Sequence, residues 1–334
     1  MGITEPLLSL MNRYQRDFPR VASPFLRIAH QLGLTEQGVL GAYQAAQAEG
    51  QVSRVGAVLT PRAVGWSTLA AMRVPTDKLD DVAEMVSAEP GVNHNYARED
   101  AWNLWFVLAD TDELSARQRL HELSRRSACP VLVMPLHTEY HIDLGFDLAH
   151  RLPGRRGCAQ PRPMAGTEQP RLSMSEQQLL TALAAGLPLC SRPYAALGEP
   201  FGLTEGNVLD ALEHWLAVGV IKRFGVVVHH RALGYTANAM CVWSVPESQV
   251  DGLGEALARQ DGITLCYRRE PVSTEWPYNL YAMIHGHNRE SVMALRAGHA
   301  AALGLDVLPH KTLFSTRCYK QCGMQHGIAQ GRLQ

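Results

Sequence analysis

The run Val92-Asn-His-Asn-Tyr-Ala-Arg98 places an imidazole, a phenol and a guanidinium at every second position. In an extended strand alternate side chains share a face, so His94, Tyr96 and Arg98 point one way and Asn95 and Ala97 the other. Such a face can move a proton and hold an anion. Imidazole, with an ordinary pKa of ~6.5, is the natural donor near neutral pH, and phenol is a poorer second choice. A guanidinium matches the geometry of a carboxylate bidentately. A second run, Ile263-Thr-Leu-Cys-Tyr-Arg-Arg269, presents Leu265, Tyr267 and Arg269 on the equivalent face. Tyrosine and arginine recur while the histidine does not, which predicts unequal roles for two related sites. His94 is the leading catalytic candidate and Tyr96 its orienting or donating neighbour. His137 and Tyr267 are further candidates, with His141 in reserve. Arg54, Arg62, Arg98, Arg223, Arg231 and Arg269 are candidate carboxylate clamps. Trp105 and Tyr281 are candidate aromatic walls for a bound molecule, with core packing as the alternative reading.

Both runs belong to an internal repeat that covers almost the whole chain. Val52-Ser-Arg-Val-Gly-Ala-Val-Leu-Thr-Pro-Arg-Ala-Val-Gly-Trp66 recurs as Ile221-Lys-Arg-Phe-Gly-Val-Val-Val-His-His-Arg-Ala-Leu-Gly-Tyr235. Arg54 matches Arg223, Gly56 matches Gly225, Arg62 matches Arg231 and Gly65 matches Gly234, all at one constant shift. Gly33-Leu-Thr-Glu36 and Gly202-Leu-Thr-Glu205 agree at the same shift. Downstream, Asn103-Leu-Trp105 matches Asn279-Leu-Tyr281, and Val133-Met-Pro135 is aligned with Val307-Leu-Pro309. Self-similarity on this scale makes the protein two versions of one unit.

Each unit opens with helical periodicity. An apolar stripe (Leu7, Leu8, Leu10, Met11) is followed by a short helix from Pro24 to His30. Thr35 then caps a helix over Glu36 to Glu49. The second copy predicts helices over Ser175 to Ala185, Pro193 to Leu197, and Thr204 to about Val218. Three short helices with a glycine turn before the last read as a helix-turn-helix domain. A repeated hairpin is expected around Gly56 and Gly225. Beyond it, strands at Thr68–Val74, Val92–Arg98, Asn103–Ala109 and Val131–Pro135 alternate with helices at Asp77–Ser87 and Leu114–Arg126. The second copy reads alike: strands Ala237–Val245, Ile263–Arg269, Tyr278–His285 and Asp306–Leu308, helices Gln249–Arg259 and Arg289–Leu303. That β-α-β-β-α-β order is the ferredoxin-like signature. The fold class is therefore α+β, two tandem repeats, each a winged helix-turn-helix domain followed by a ferredoxin-like domain. Boundaries fall at 1–52, 53–147, a Pro/Gly-rich basic linker over 148–172, 173–221 and 222–334.

Composition narrows the function. The 334 residues are 46% hydrophobic and 19% charged, with a formal net charge of −1. A general nucleic-acid or membrane-surface protein usually carries a basic excess, which is missing here. No apolar run reaches the roughly 18 residues of a membrane span, and the N-terminus has no leader pattern, so the chain reads as cytosolic. Seven irregularly spaced cysteines read as reduced thiols. Cys318, Cys322 and His326 are the nearest thing to a metal cluster, but their spacing is not a common zinc pattern and no metal site is expected.

A winged helix-turn-helix followed by a ferredoxin-like domain resembles the Lrp/AsnC regulators, and Gly219-Val-Ile-Lys-Arg-Phe-Gly-Val-Val226 is similar to their interdomain join. That resemblance implies pairing of two ferredoxin-like domains. It also implies an alternative function, transcriptional regulation or tetrapyrrole sensing. DNA binding is not expected. Thr35 to Gly50 and Thr204 to Gly219 contain no Lys or Arg, and Glu36, Glu49, Glu205, Asp210 and Glu213 repel a phosphate backbone.

A narrower resemblance is carried by His94-Asn-Tyr-Ala-Arg98 with Asn103-Leu-Trp-Phe106, and by Cys266-Tyr267 with Glu275-Trp-Pro-Tyr-Asn-Leu-Tyr281 and Met283-Ile-His-Gly286. These segments resemble the siroheme decarboxylases, the first copy like the D-type subunit and the second like the L-type. The resemblance implies decarboxylation of two acetate side chains of siroheme to 12,18-didecarboxysiroheme on the route to haem d₁. Siroheme is then the small-molecule partner, with no cofactor beyond the iron it carries. A pseudo-dimeric monomer or a homo-oligomer is implied, with other haem d₁ pathway enzymes as candidate partners. Some relatives have His before the Cys-Tyr pair, where this chain has Leu265.

Overall fold

The computed structural model describes residues 10–60, 65–142, 162–163, 172–229 and 234–321. Leu7, Leu8, Arg62, Arg231, Cys322, His326 and nearly all of the linker lie outside the described residues. The first copy carries strands β1 Val52–Leu59, β2 Trp66–Met72, β3 Val92–Arg98, β4 Leu104–Asp110 and β5 Val131–Ile142, with the two-residue β6 Arg162–Pro163 after it. The second carries β7 Ile221–Val228, β8 Ala237–Trp243, β9 Ile263–Arg269, β10 Leu280–Gly286 and β11 His310–Gln321. The described residues fall into two units, one within Met1–Val64 and Gln169–Leu233, the other within Gly65–Leu144 and Gly234–Gln334.

The first unit holds the helix-turn-helix elements. Helix Glu36–Ala48 starts where Thr35 accepts a hydrogen bond from the Gly38 amide at 3.1 Å. Helix Glu205–Ala217 starts at a full capping box between Thr204 and Asn207. Both caps satisfy amides that a helix N-terminus leaves without partners.

The expected hairpin does not form. β1 pairs instead with β7 of the other copy, antiparallel, with Gly56 opposite Gly225. Strands expected to belong with the ferredoxin-like parts thus group with the helices. Each strand also takes a segment that follows a helix along its edge. Val226 donates its amide to the Tyr14 carbonyl at 2.8 Å, and Leu187 donates to Val55 at 2.7 Å. This close approach explains why both copies keep glycine. A Cβ on Gly225 would sit 2.4 Å from the carbonyl oxygens of Tyr14 and Gln15, and one on Gly56 would sit 2.6 Å from the Leu183 carbonyl. Gly225→Ala is therefore expected to cost about 1–3 kcal/mol through overpacking. A lowered melting temperature for Gly225→Ala, beside an unchanged or raised one for Gly252→Ala, which lies in open space within a helix, checks it.

The second unit contains both ferredoxin-like repeats. Its strands run β2-β4-β3-β11-β8-β10-β9-β5 side by side, and a β2–β5 pairing closes the ring. Closure depends on the last strand of each copy. Residues 131–135 of β5 pair with β2 of their own copy, and the rest of β5 crosses to β9 of the other. β11 does the same, pairing first with β8 and then with β3. The last strands are thus twelve residues long, not the short Val131–Pro135 expected.

Asp306–Leu308 is not a strand at all. Pro309, which has no amide to donate, precedes β11, and the strand starts at His310. The register aligns Met134, opposite Leu69, with Leu313, opposite Met240. The alignment of Val133-Met-Pro135 with Val307-Leu-Pro309 is corrected accordingly. Both crossing strands are tied down alike: Tyr140 donates to Asp251, and Tyr319 donates to the matching Asp80 at 2.5 Å.

Three apolar clusters follow from this layering. One lies between strands and helices of the first copy, around Val86, Leu104, Phe106 and Leu120. Its twin in the second copy is built around Val250, Cys266, Ile284 and Val292. The third joins strand faces turned away from the helices: Leu69, Trp105, Met134, Met240, Tyr267, Trp276, Tyr281 and Leu313. The Lrp/AsnC resemblance implies that two ferredoxin-like domains pair, and here one chain supplies both.

Candidate active site

The face on which the site is built is decided at β3. A bulge separates Val92 from His94. Asn95 turns to the helix layer, donating to the Ala83 carbonyl at 2.9 Å and the Ser87 hydroxyl at 3.0 Å. His94, Tyr96 and Arg98 therefore take the face opposite the helices. The His94 and Tyr96 rings stack with centroids 6.5 Å apart, and the Arg98 guanidinium lies 5.6 Å from the Tyr96 centroid. Tyr96 and Arg98 are buried while His94 is only half-buried. The sequence-predicted triplet is thus brought together, with its imidazole the most open member.

Arg98 reaches further. Its Nη1 donates to the Leu313 carbonyl at 3.0 Å and to Asn238 Oδ1 at 3.4 Å. The Asn238 amide nitrogen lies 3.0 Å from His285 Nε2, and His285 Nδ1 lies 2.9 Å from Thr264 Oγ1. Asn238 and His285 are cross-strand partners on β8 and β10 and both are buried. Neither is among the sequence-predicted site residues: His285 enters only within the segment Met283–Gly286 and as the last residue of the predicted strand Tyr278–His285, and Asn238 is not singled out. The signal was present: His285 continues the Tyr281, Met283 alternation of β10, so it shares their face.

The matching region of the other copy is chemically different. Arg269 Nη1 donates to the Met134 carbonyl at 2.5 Å, the counterpart of the Arg98–Leu313 bond. Its guanidinium lies 4.6 Å from the Tyr267 centroid and 5.9 Å from that of Tyr281. Burial pushes the Arg269 pKa down from its ordinary value, partly offset by the two neighbouring phenols. Tyr281 accepts from Trp276 Nε1 at 2.7 Å, and Trp276 packs 5.1 Å from Trp105. Trp105 and Tyr281 are fully buried in the cluster between the strand faces. Burial pushes the Tyr281 hydroxyl well up, which keeps it neutral.

The remaining candidates scatter. His137 falls in a bulge of β5 with Nδ1 2.8 Å from Thr138 Oγ1. His141 pairs with Cys266, whose thiol packs in the helix-side cluster, so it takes the face opposite to Tyr267. Both lie inside β5 and not beyond the last strand. Arg54 and Arg223 belong to the helical unit. Arg223 is buried and donates to the carbonyls of Gln15 and Val226, and Arg54 reaches the Ala57 carbonyl at 3.5 Å. Cys318 sits on β11 opposite Tyr96. Among the described residues no group of three or more His, Cys, Asp or Glu is placed to hold a metal ion, and no helix is long and apolar enough to cross a membrane.

Residues 63–141 and 232–320 match the AsnC-like ligand binding domain, and residues 9–52 and 176–222 match the siroheme decarboxylase NirDL-like HTH domain. The chain is 40% identical over 316 residues to the siroheme decarboxylase NirDL subunit of Paracoccus denitrificans, covering 95% of each. It is 30% identical over 313 residues to a siroheme decarboxylase of Hydrogenobacter thermophilus, covering 93% of this chain and 92% of that one. The crystal structure of the siroheme decarboxylase NirDL with an iron-uroporphyrin III analogue superposes with a TM-score of 0.67 at 27% identity, covering 97% of this chain and 94% of that one. Likeness over both copies, in sequence and in fold, leaves one conclusion: the chain belongs to the siroheme decarboxylases, a family of carboxy-lyases.

Proposed function

We propose that this enzyme removes the carboxyl groups of two acetate side chains of siroheme, giving 12,18-didecarboxysiroheme for haem d₁ biosynthesis. The observation that carries the reading is similarity across 95% of both chains to a siroheme decarboxylase. The NirDL crystallised with an iron-uroporphyrin III analogue supports a tetrapyrrole as the ligand class. In each event the bond between the acetate methylene and its carboxyl carbon breaks and CO2 departs. The electron pair stays on the methylene carbon, delocalised into the macrocycle, until a proton completes the methyl group. One proton is consumed for each CO2 released.

His94 is the proposed donor, because it is the titratable group of the β3 face that stays half-open. Tyr96, stacked against it, orients the imidazole or relays the proton. Arg98 is the leading clamp, since it stands on the same face. Arg54 and Arg223 belong to the helical unit, which makes them weaker clamp candidates, and Arg269, which like Arg98 serves one backbone carbonyl, shares its face with Leu265 where Arg98 shares one with His94. The iron belongs to the substrate, and no resident cofactor is proposed. The pairing of ferredoxin-like copies within one chain favours a pseudo-dimeric monomer as the working unit. Anaerobic incubation with siroheme followed by mass analysis tests the function. Loss of two CO2 per siroheme is expected, and siroheme recovered intact across several conditions overturns the reading.

A further inference from the structure

The pseudo-symmetry of the closed ring of strands makes each position comparable with a counterpart. Tyr96 and Arg98 have equals in Tyr267 and Arg269, and the carbonyls they serve, Leu313 and Met134, also correspond. Everything else polar on the face differs. Leu265 replaces His94. Beside Tyr267 stands Glu139, buried, where Cys318 stands beside Tyr96. Ser67 replaces Asn238 as second residue of its strand, and its cross-strand partner Ala109 replaces His285. The register divides the polar groups between two ends: Asn238, His285 and Thr264 lie with Arg98 and next to Leu265, whereas the counterparts Ser67, Ala109 and Asn93 lie next to His94. An amide–imidazole chain to an arginine is thus built at the Arg98 end, where the Arg269 end has serine and alanine in place of Asn238 and His285.

The chain at the Arg98 end has its proton positions fixed by chemistry. Arginine can only donate, so the Asn238 oxygen must face Arg98 and its NH2 must face His285. His285 Nε2 then has to accept, which leaves the ring proton on Nδ1, donated to Thr264 Oγ1. Thr264 passes its own proton to the Met283 carbonyl at 3.1 Å. Each member has one workable orientation, and the last link of the chain is the Arg98 guanidinium.

Resting on the proposed function, we propose that His285 is a positioning residue acting through Asn238 to hold Arg98 for a substrate carboxylate. An acceptor at position 285 is what the relay needs. A group without one frees the Asn238 amide to turn and present its NH2 to Arg98, which Arg98 cannot accept.

The test uses the full-length chain and iron-uroporphyrin III as probe, titrated by its visible absorbance, so that binding is read apart from turnover. His285→Leu, which keeps bulk and loses the acceptor, is expected to weaken binding about tenfold, in line with loss of one charge-assisted contact. His285→Gln, whose Oε1 can accept, is expected to stay within about threefold of the parent, a difference no larger than the net worth of one ordinary hydrogen bond. Equal weakening in both variants, or none in His285→Leu, overturns the positioning role. Melting curves of both variants separate a folding defect from a binding one, and Asn238→Leu supplies a second route if His285→Leu fails to fold. A chain that binds the probe but releases no CO2 from siroheme would sink the decarboxylase reading while leaving the positioning of Arg98 measurable.

Discussion

His94→Ala is expected to lower kcat for CO2 release by about 10²–10⁴-fold, the usual worth of a positioned general acid, while siroheme still binds. The size follows from the chemistry. Without a donor, the carbanion formed by CO2 loss must wait for a proton from water or collapse back. His94 is half-buried at the end of a stacked pair, so its removal leaves little cavity and the fold should hold. Tyr96→Phe keeps the stacking and loses only the hydroxyl, so a smaller loss is expected. His94→Leu is the sharper variant, because it converts the β3 face into a copy of the Leu265, Tyr267, Arg269 face. Single-turnover kinetics with mass detection of mono- and didecarboxylated products give the readout. Full rate in His94→Ala would reassign the donor.

The second large effect is on stability. Arg269→Ala is expected to destabilise the strand unit by about 2–4 kcal/mol, because the Met134 carbonyl loses its donor inside the protein and the stacked Tyr267 and Tyr281 rings lose the cation beside them. The Met134 carbonyl belongs to β5 just before it crosses to the other copy. Arg269 thus anchors the exchanged strand. A melting temperature lower by roughly 5–10 °C is the expected reading for a domain of this size. Activity per folded molecule should change far less than in His94→Ala. A variant that melts like the parent but no longer binds substrate would show that Arg269 is a clamp after all.

Much of this was legible in one dimension. The βαββαβ order, the helix caps at Thr35 and Thr204, and the shared face of His94, Tyr96 and Arg98 come from local periodicity and short-range hydrogen bonding, and these are encoded residue by residue. What failed were pairings. The hairpin expected at Gly56 became a cross-copy ribbon, because a strand's alternation says nothing about which partner it takes. The last strands were read short, because their second halves carry Arg317, Lys320, Glu139 and His141, which look like loop composition until a partner strand covers them. His285 was set aside for the same reason: its neighbour Asn238 lies 47 positions away in the chain.

Sequence alone determined the duplicated architecture, the acidic helix-turn-helix units and the asymmetry between His94 and Leu265. Each rests on residue identity at fixed spacing. Tertiary structure decided which arginines are occupied by carbonyls, which strands exchange between copies, and that Asn238 and His285 meet Arg98. Those facts depend on long-range register in a closed ring of strands. Local patterning leaves that register open until burial of one face selects it.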